Sequence, residues 1–403
     1  MKIGIVGAGP AGLICAWQLA EAGHNVVIFE KRKELGAQGS GVLIQPVGLR
    51  ALDYLGIRAQ VEKHGQRVKR IRGYAGFDKS RKVIDANYGL LNGEFNYSLG
   101  INRSELWKIL FQKARESGVT IQYGARIESL SYHSATTVEL IGDDQQTIGV
   151  FDLIVDASGA NSKLIRFAEG LGQQHLLDYG SLWTRVTMPK ECLFDAEEMQ
   201  VFTGDKNKGL GLMPTGGQEC TLFLTVDDYG GLPWEKVGFD CWRSDLVKKW
   251  PLFEHVLLQI QSAKQLYAAR FNHHTLFKPY GQRIVYVGDA AHCSSPQLGQ
   301  GINMSIVDAV VLCRALTQKN DVDDALKFYA KARKSHVLAY QYLARLLTPF
   351  YHSRDVIAIF ARDHYFYLVF KISVFKRITA TVLSGNIFNP LKTVLSKTNS
   401  DKS

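Results

Sequence analysis

Lys2-Ile3-Gly4-Ile5-Val6-Gly7-Ala8-Gly9-Pro10-Ala11-Gly12 opens the chain with an apolar run that leads into three closely spaced glycines. Lys2–Val6 is a short β-prone apolar run. Pro10–Ala22 then carries apolar residues at Leu13, Ala16, Trp17 and Ala20, the spacing of one helical face. Gly23 follows, where a helix C-cap glycine is expected. Asn25–Phe29 is a second, nearly continuous apolar run, as a buried parallel strand requires. Strand, glycine turn, helix and strand thus occupy the first thirty residues. In that context Gly7-Ala8-Gly9-Pro10-Ala11-Gly12 reads as a G-x-G-x-x-G dinucleotide fingerprint.

Each position has a physical task. Gly7 allows the tight turn, Gly9 lets a pyrophosphate approach the backbone, and Gly12 lets the helix pack closely on the sheet. The helix start at Pro10 and Ala11 turns free N–H groups and a favourable dipole toward the phosphates. Glu30, with Lys31 beside it, ends the second strand at the right distance to accept from a ribose 2′-hydroxyl. A purely structural glycine turn would not need the strand, the helix and Glu30 together. The fingerprint alone leaves FAD and NAD open.

Composition sets the frame. The chain has 403 residues, 46% hydrophobic and 21% charged, which is ordinary globular composition with apolar material for a large core. The length suggests two or three structural units. No stretch reaches the ~18 uninterrupted apolar residues of a spanning helix. The N-terminus runs directly into Ile3–Val6 without a basic region, so it reads as a folded start and not a signal peptide. Six cysteines (Cys15, Cys192, Cys220, Cys241, Cys293, Cys313) form no CxxC pair and have no His cluster beside them. They read as inert thiols of a reducing cytoplasm and not as a zinc site or disulfide framework. The formal charge of +10 is scattered apart from Lys63–Arg72 and the C-terminal tail. No basic stripe is interleaved with aromatics, so no nucleic-acid partner is expected.

Further along, residues 75–100 are rich in glycine and tyrosine and predict an excursion of short strands. Arg103–Ser117 is helical, with Leu106, Ile109 and Leu110 in register. Val119–Tyr123 and Phe151–Asp156 read as strands with a hairpin between them. From about 175 to 270, alternating runs such as Thr221–Val226 and turn signals at Gly216–Gly217 and Gly230–Gly231 predict an antiparallel sheet. Ile284–Val287 returns to a buried-strand pattern, a helix follows from Gly301 to Leu316, and the chain beyond about 322 is mostly helical. The polar tail Ser396–Ser403 is expected to be disordered.

A second motif separates FAD from NAD. Arg283-Ile284-Val285-Tyr286-Val287-Gly288-Asp289-Ala290-Ala291-His292 precedes Pro296 and Gly299-Gln300-Gly301-Ile302-Asn303. This resembles the second FAD signature of the para-hydroxybenzoate hydroxylase family, nearer its quinone-precursor hydroxylases. The resemblance implies that Asp289 binds the ribityl chain and that the amides of Gly299, Gly301, Ile302 and Asn303 face the pyrimidine end of the flavin. A helix N-terminus there stabilises negative charge on reduced flavin. Pro296 would line the pocket. Ile101-Asn102-Arg103-Ser104-Glu105-Leu106 resembles the segment whose arginine contacts FAD, here Arg103, a cation at a helix start where the dipole disfavours it. Gly39-Ser40-Gly41-Val42-Leu43-Ile44-Gln45-Pro46 corresponds to the loop near the isoalloxazine. Gly41 there either allows close approach to the ring or serves a flexible turn. The resemblance spans roughly residues 1 to 320.

One segment departs from it. The family has an Asp-Gly pair after the third strand, where this chain has Asp156-Ala157-Ser158-Gly159-Ala160-Asn161-Ser162. Ser158 takes the aspartate's place, the closing arginine falls one residue late at Arg166, and Asp156 is a candidate stand-in, on the same strand face but two residues earlier. This departure bears on NAD(P)H use more than on FAD binding.

The resemblance implies an α/β fold: a Rossmann-like FAD-binding domain of the glutathione-reductase type, an inserted antiparallel-sheet substrate domain and a helical C-terminal region. The expected layout is 1–74, 100–174 and 271–320 for FAD, 75–99 and 175–270 for substrate, 321–395 helical, and 396–403 tail. The implied activity is an FAD-dependent monooxygenase in which NAD(P)H reduces FAD, O2 adds to form a flavin C4a-hydroperoxide, and an aromatic, quinone-like or other apolar small molecule is hydroxylated. His292 and Cys293 read as core and not as catalysts, and no general base stands out. Rival readings are an FAD-dependent halogenase, whose tryptophan-type W-x-W-x-I-P signature is absent, a dehydrogenase without oxygen insertion, which Ser158 favours, and a non-enzymatic flavin-binding module. Tyr365–Phe375, with Lys371, Lys376 and Arg377, either packs over the substrate domain or forms a basic amphipathic surface that touches a membrane. The expected location is cytoplasmic, with membrane association in the second case.

Overall fold

The computed structural model describes residues 1–34, 40–172, 174–188, 195–204, 209–227, 231–351, 355–391 and 394. Gly39, Cys192, Gly230 and the tail 396–403, all named above, lie outside the described residues.

Lys2–Val6 is the central strand of a six-stranded sheet. Asn25–Glu30 and Leu153–Asp156 flank it in parallel, and Thr120–Tyr123 and Ile284–Tyr286 extend the sheet in the same direction. Tyr280–Gly281 forms an antiparallel edge. Ile3, Ile5, Ile28 and Val155 are completely buried against helices, while Phe29, Ile154 and Tyr286 point to the opposite face. That second face is covered by a three-stranded antiparallel meander, Ile127–Tyr132, Val138–Gly142 and Thr147–Phe151, where the sequence predicts a hairpin. A parallel sheet must be covered on both sides, and the third strand widens the cover enough to do it.

The first helix, Pro10–Glu21, starts with Pro10 in its first turn and stops at Gly23, whose φ of +85° only glycine adopts freely. Gly23 N–H donates to the Ala20 carbonyl and His24 N–H to the Leu19 carbonyl, closing the orphaned end. Leu13, Ile14, Cys15 and Ala16 are fully buried beneath the Arg103–Glu116 and Gly301–Gln318 helices.

The second sheet has eight strands, in the order His292–Cys293, Tyr267–Thr275, His175–Thr187, Glu219–Asp227, Leu210–Gly216, Glu198–Phe202, Arg70–Ala75 and Arg81–Asn87. Neighbours are antiparallel, except that Arg70–Ala75 runs parallel to Glu198–Phe202. A small sheet of Gly41–Ile44, Ser98–Asn102 and Gly65–Val68 wedges between the two large ones. Gly100 in it approaches the second sheet so closely that any Cβ would collide with the Pro214 carbonyl.

Beyond the Gly301–Gln318 helix, a 30-residue helix, Val322–Tyr351, packs across it and carries the chain to the far side of the second sheet. The segments Val356–Ala361, Arg362–Phe366, Tyr367–Val369 and Ser373–Leu383 then lie over the Arg81–Asn87 edge, where Lys376 Nζ pairs with Asp85 Oδ2 at 3.3 Å. The chain finally returns to the first core, burying Leu391 and Val394.

Candidate cofactor and substrate site

The glycine turn forms a cradle with one open position. Gly7 has φ +103°, and a Cβ on it would sit 2.6 Å from the Ala157 carbonyl oxygen. A Cβ on Gly12 would collide with the Gly7 carbonyl. Gly9 differs, since no atom lies within 4 Å of its hypothetical Cβ. That space is what a pyrophosphate needs. Gly9 caps the first helix without a side-chain partner, and the first intrahelical bond runs from Leu13 N–H to its carbonyl. The amides of Ala11 and Gly12 therefore lack an intrahelical acceptor. Glu30 Oε2 accepts from Ala8 N–H at 2.9 Å and Oε1 accepts from Arg32 N–H at 3.0 Å. The carboxylate is locked at the turn with lone pairs to spare for ribose hydroxyls. Lys31 is exposed beside it.

The second motif builds the other end. Gly288 adopts φ +61° and starts a short turn, Gly288–Ala290, that leaves Asp289 partly exposed. Pro296–Leu298 forms a second turn, closed by Gly299 at φ +60°. The Gly301–Gln318 helix then begins with no side-chain cap, so the amides of Gly301, Ile302 and Asn303 have no intrahelical acceptor. A Cβ on Gly301 would lie 3.7 Å from Asp289 Oδ1, so the aspartate and the helix start face one another. Donors, a positive dipole end and one carboxylate converge as the polar rim of a flavin requires. Both ends fit the two halves of FAD.

The side chain of Asn303 is a staple. Its Oδ1 accepts from Gln45 N–H at 2.8 Å, and its Nδ2 donates to the carbonyls of Leu43 (3.1 Å) and Gly299 (2.9 Å). It ties the Gly41–Ile44 strand to the flavin loop, and only its backbone amide is left for a cofactor. Behind the loop, the buried Asp308 accepts from Gly288 N–H (2.7 Å), His292 Nε2 (2.6 Å) and Arg333 Nε (2.5 Å). Burial opposes its ionisation, but the charges of His292 and Arg333 prevail and hold the carboxyl well below the usual range. His292 is thus part of the loop's support. Burial pushes the Cys293 thiol well up, so it stays protonated and inert.

Three expected residues behave differently from the rest. Asp156 is completely buried, and Ser158 and Ser162 hydroxyls donate to it at 2.6 Å and 2.5 Å. Burial raises its carboxyl and the two serines oppose that rise. In the structure its carboxylate is taken up by the turn that follows its own strand. Gly41 lines the cavity beside the flavin loop and also packs closely on protein: its N–H donates to Thr221 Oγ1 at 2.6 Å, and a Cβ would lie 2.5 Å from Thr215. Arg103 is exposed, and among the described residues no ion pair forms to it. Its backbone N–H donates to the Ser40 carbonyl at 3.0 Å, which holds it next to the Gly41 strand.

A cavity of about 490 Å³ opens between the flavin loop, the second sheet and the C-terminal helices. Pro296, Gly299, Gly301 and Ile302 form its floor, Trp183, Met213 and Phe223 its sheet wall, and Leu343, Phe370 and Val382 its cover. No Asp, Glu, Lys, Arg or His lines it among the described residues. Sequence reasoning named residues of the floor and the Gly41 strand and assigned the sheet of about 175–270 to substrate, but no side chain of the wall or cover. The wall and cover come from chain segments more than a hundred residues apart and carry no local signal.

Gln45 was missed, although it breaks the apolar run Val42-Leu43-Ile44 as the one polar side chain. It is fully buried and lines the cavity. The buried Tyr88 hydroxyl donates to its Oε1 at 2.5 Å, which leaves Nε2 next to Gly299 with no partner. An unpaired buried donor is costly unless a ligand accepts from it.

The family described as "FAD binding domain" matches residues 1–341. The FAD-dependent urate hydroxylase of Klebsiella pneumoniae is 24% identical over 363 residues, covering 88% of this chain and 92% of that protein. Kynurenine 3-monooxygenase of Salinispora arenicola is 28% identical, covering 83% and 76% respectively. Among solved structures, Klebsiella pneumoniae HpxO complexed with FAD and uric acid superposes with a TM-score of 0.81 at 22% identity, over 96% of this chain and 97% of that one. 2-Methyl-3-hydroxypyridine-5-carboxylic acid oxygenase follows at 0.75 and 22%, over 91% and 97%. The two solved structures share this fold.

Proposed function

The chain belongs to the FAD-binding-domain family, and on that premise we propose that its substrate is a neutral, apolar small molecule with one hydrogen-bond acceptor. The protein is an FAD-dependent monooxygenase, an oxidoreductase that hydroxylates its substrate. FAD, when bound, supplies the redox and oxygen chemistry with electrons from NAD(P)H.

The protein's own residues bind, orient and dry the site. Gly9 and Glu30 hold the nucleotide end, with the amides of Ala11 and Gly12. Asp289, Arg103 and the amides of Gly299 to Asn303 hold the flavin end. The uncharged lining of the cavity is the observation that carries the substrate reading. Burying a charge without a partner costs several kcal/mol or more, so the lining disfavours an ionic substrate and supports a neutral one. The same apolar lining expels water from the reacting centre. Gln45 Nε2 is the donor that would set the substrate's orientation. We further propose that substrates of this kind reach the cavity from a membrane surface.

Turnover tests the reading directly. FAD-loaded protein is supplied with NADH or NADPH in air, and oxygen uptake and product mass are followed with neutral phenols, quinols and quinolones. Urate, an anion, and kynurenine, a zwitterion, serve as comparison substrates. Coupled uptake and a product heavier by one oxygen are expected for the neutral set only. Efficient turnover of urate or kynurenine with none of the neutral set would overturn the substrate class.

A further inference from the structure

We propose that the outer side of the C-terminal helical layer, residues 356–378, docks on an anionic lipid bilayer and hands apolar substrate to the cavity beneath it. The proposal rests on the reading of the cavity as an apolar-substrate site.

Nine of the twenty-four large apolar side chains that are exposed among the described residues fall in this one stretch. Val356 (76%), Ile357 (81%), Phe360 (53%), Leu368 (54%) and Val374 (63%) all stand more than half exposed. Singly scattered exposed apolar residues are ordinary, whereas such a concentration marks an interaction face. The inner side of the same segment is already committed. Ala358 and Arg362 are buried, and Phe366 and Phe370 line the cavity. The segment is therefore a single layer with the cavity on one side and the exposed apolar face on the other.

Charge selects the occupant. From 364 to 400 the sequence contains no Asp or Glu, while Lys371 and Arg377 fall inside the apolar stretch and Lys376 beside them is paired with Asp85. Asp363 is occupied by Arg362 Nε at 2.6 Å, and Asp355 caps the Val356–Ala361 helix by accepting from Ile357 and Ala358 N–H. Cations set among exposed aliphatic and aromatic side chains suit an anionic membrane interface. A second copy of the chain on this face would bring like charges together. No described helix is long and apolar enough to cross a membrane, so the segment lies on the bilayer.

Flotation of the full-length, FAD-loaded protein on vesicles provides the test. Phosphatidylcholine vesicles are compared with vesicles also containing phosphatidylglycerol. Co-flotation with the anionic vesicles, weakening as salt rises, is expected. Ile357→Glu with Val374→Glu should lower the bound fraction at least tenfold while the bound-flavin spectrum is retained, and Arg377→Glu should lower it separately. No flotation of the native chain, equal flotation on both vesicle types, or equal flotation of the double variant would each overturn the proposal. So would a concentration-dependent dimer that the double variant abolishes, which would assign the face to a second copy. Flotation needs no turnover, and turnover of a water-soluble neutral substrate needs no vesicles. Failure of the docking and failure of the substrate reading therefore show separately.

Discussion

At the scale of single residues, Gln45 carries the most consequence. Burial pushes the Tyr88 phenol well up, so its hydroxyl stays protonated and donates to Gln45 Oε1. With the amide oxygen taken by Tyr88, Nε2 has no protein partner and is a donor available to a ligand. Gln45→Leu should lower kcat/KM for a carbonyl- or hydroxyl-bearing substrate by about threefold to tenfold, the worth of roughly 1 kcal/mol for a neutral hydrogen bond. Steady-state kinetics alongside an FAD titration would check this. An unchanged kcat/KM would remove Gln45 from substrate recognition, and a parallel loss of FAD affinity would assign its donor to the flavin. Asp156 teaches the converse. Its position on a strand suggested a stand-in ligand, yet Ser158 and Ser162 occupy it, because a buried carboxylate must be satisfied by its nearest donors.

At the scale of elements, the glycine turn and first helix were legible almost residue by residue. The reason is that their chemistry is local: Pro10 in the first turn, Gly23 at the C-cap and Gly12 under the Gly7 carbonyl each answer a constraint set within a few residues. Gly9 makes this testable. Its φ of −76° is one any residue adopts, and its Cβ would meet nothing. Gly9→Val should leave the apoprotein's melting temperature within a degree or two, yet weaken FAD binding by about 100-fold or more, since the valine fills the pyrophosphate's place. Flavin-fluorescence titration and apoprotein melting would decide. Native FAD affinity in this variant, or an unfolded apoprotein, would contradict the cradle. The meander after Thr120–Tyr123 was legible only as a hairpin, because its third strand is called for by the exposed face of a sheet formed elsewhere.

At the scale of the whole molecule, Asp308 and Arg333 join the flavin loop to the C-terminal return. Arg333 bonds His336, and His336 Nε2 meets the Gly385 carbonyl at 2.9 Å. Burial and then the Arg333 charge push His336 down to about 3, and burial pushes His273 down to about 4. In the unfolded chain both take protons near pH 6.5. The unfolded state thus binds more protons between about pH 4 and 6.5, so stability is complete above pH 6.5 and declines as pH falls through that window. Asp308, also depressed, contributes above the ordinary carboxylate range and adds nothing to the decline there. Between pH 6.5 and 5 each histidine should cost about 2 kcal/mol. Denaturant unfolding at pH 7.5, 6 and 5 measures this, and His336→Gln should flatten the decline by about half. A flat native profile, or a variant as steep as native, would count against the buried neutral imidazoles.

The dinucleotide turn, the flavin loop and their shared helix–sheet scaffold were readable in the residues alone, because glycine conformations, helix ends and buried-strand patterns are properties of short segments. It also showed, through Ser158, where the family pattern breaks. The make-up of the cavity wall comes from tertiary structure alone. The uncharged cavity is assembled from a strand near residue 43, a sheet near 183 to 225 and helices beyond 340. The donor of Gln45 is free only because Tyr88 takes its oxygen. Substrate preference is a property of surfaces that meet across hundreds of residues, and each contributing segment, read alone, is an ordinary apolar run.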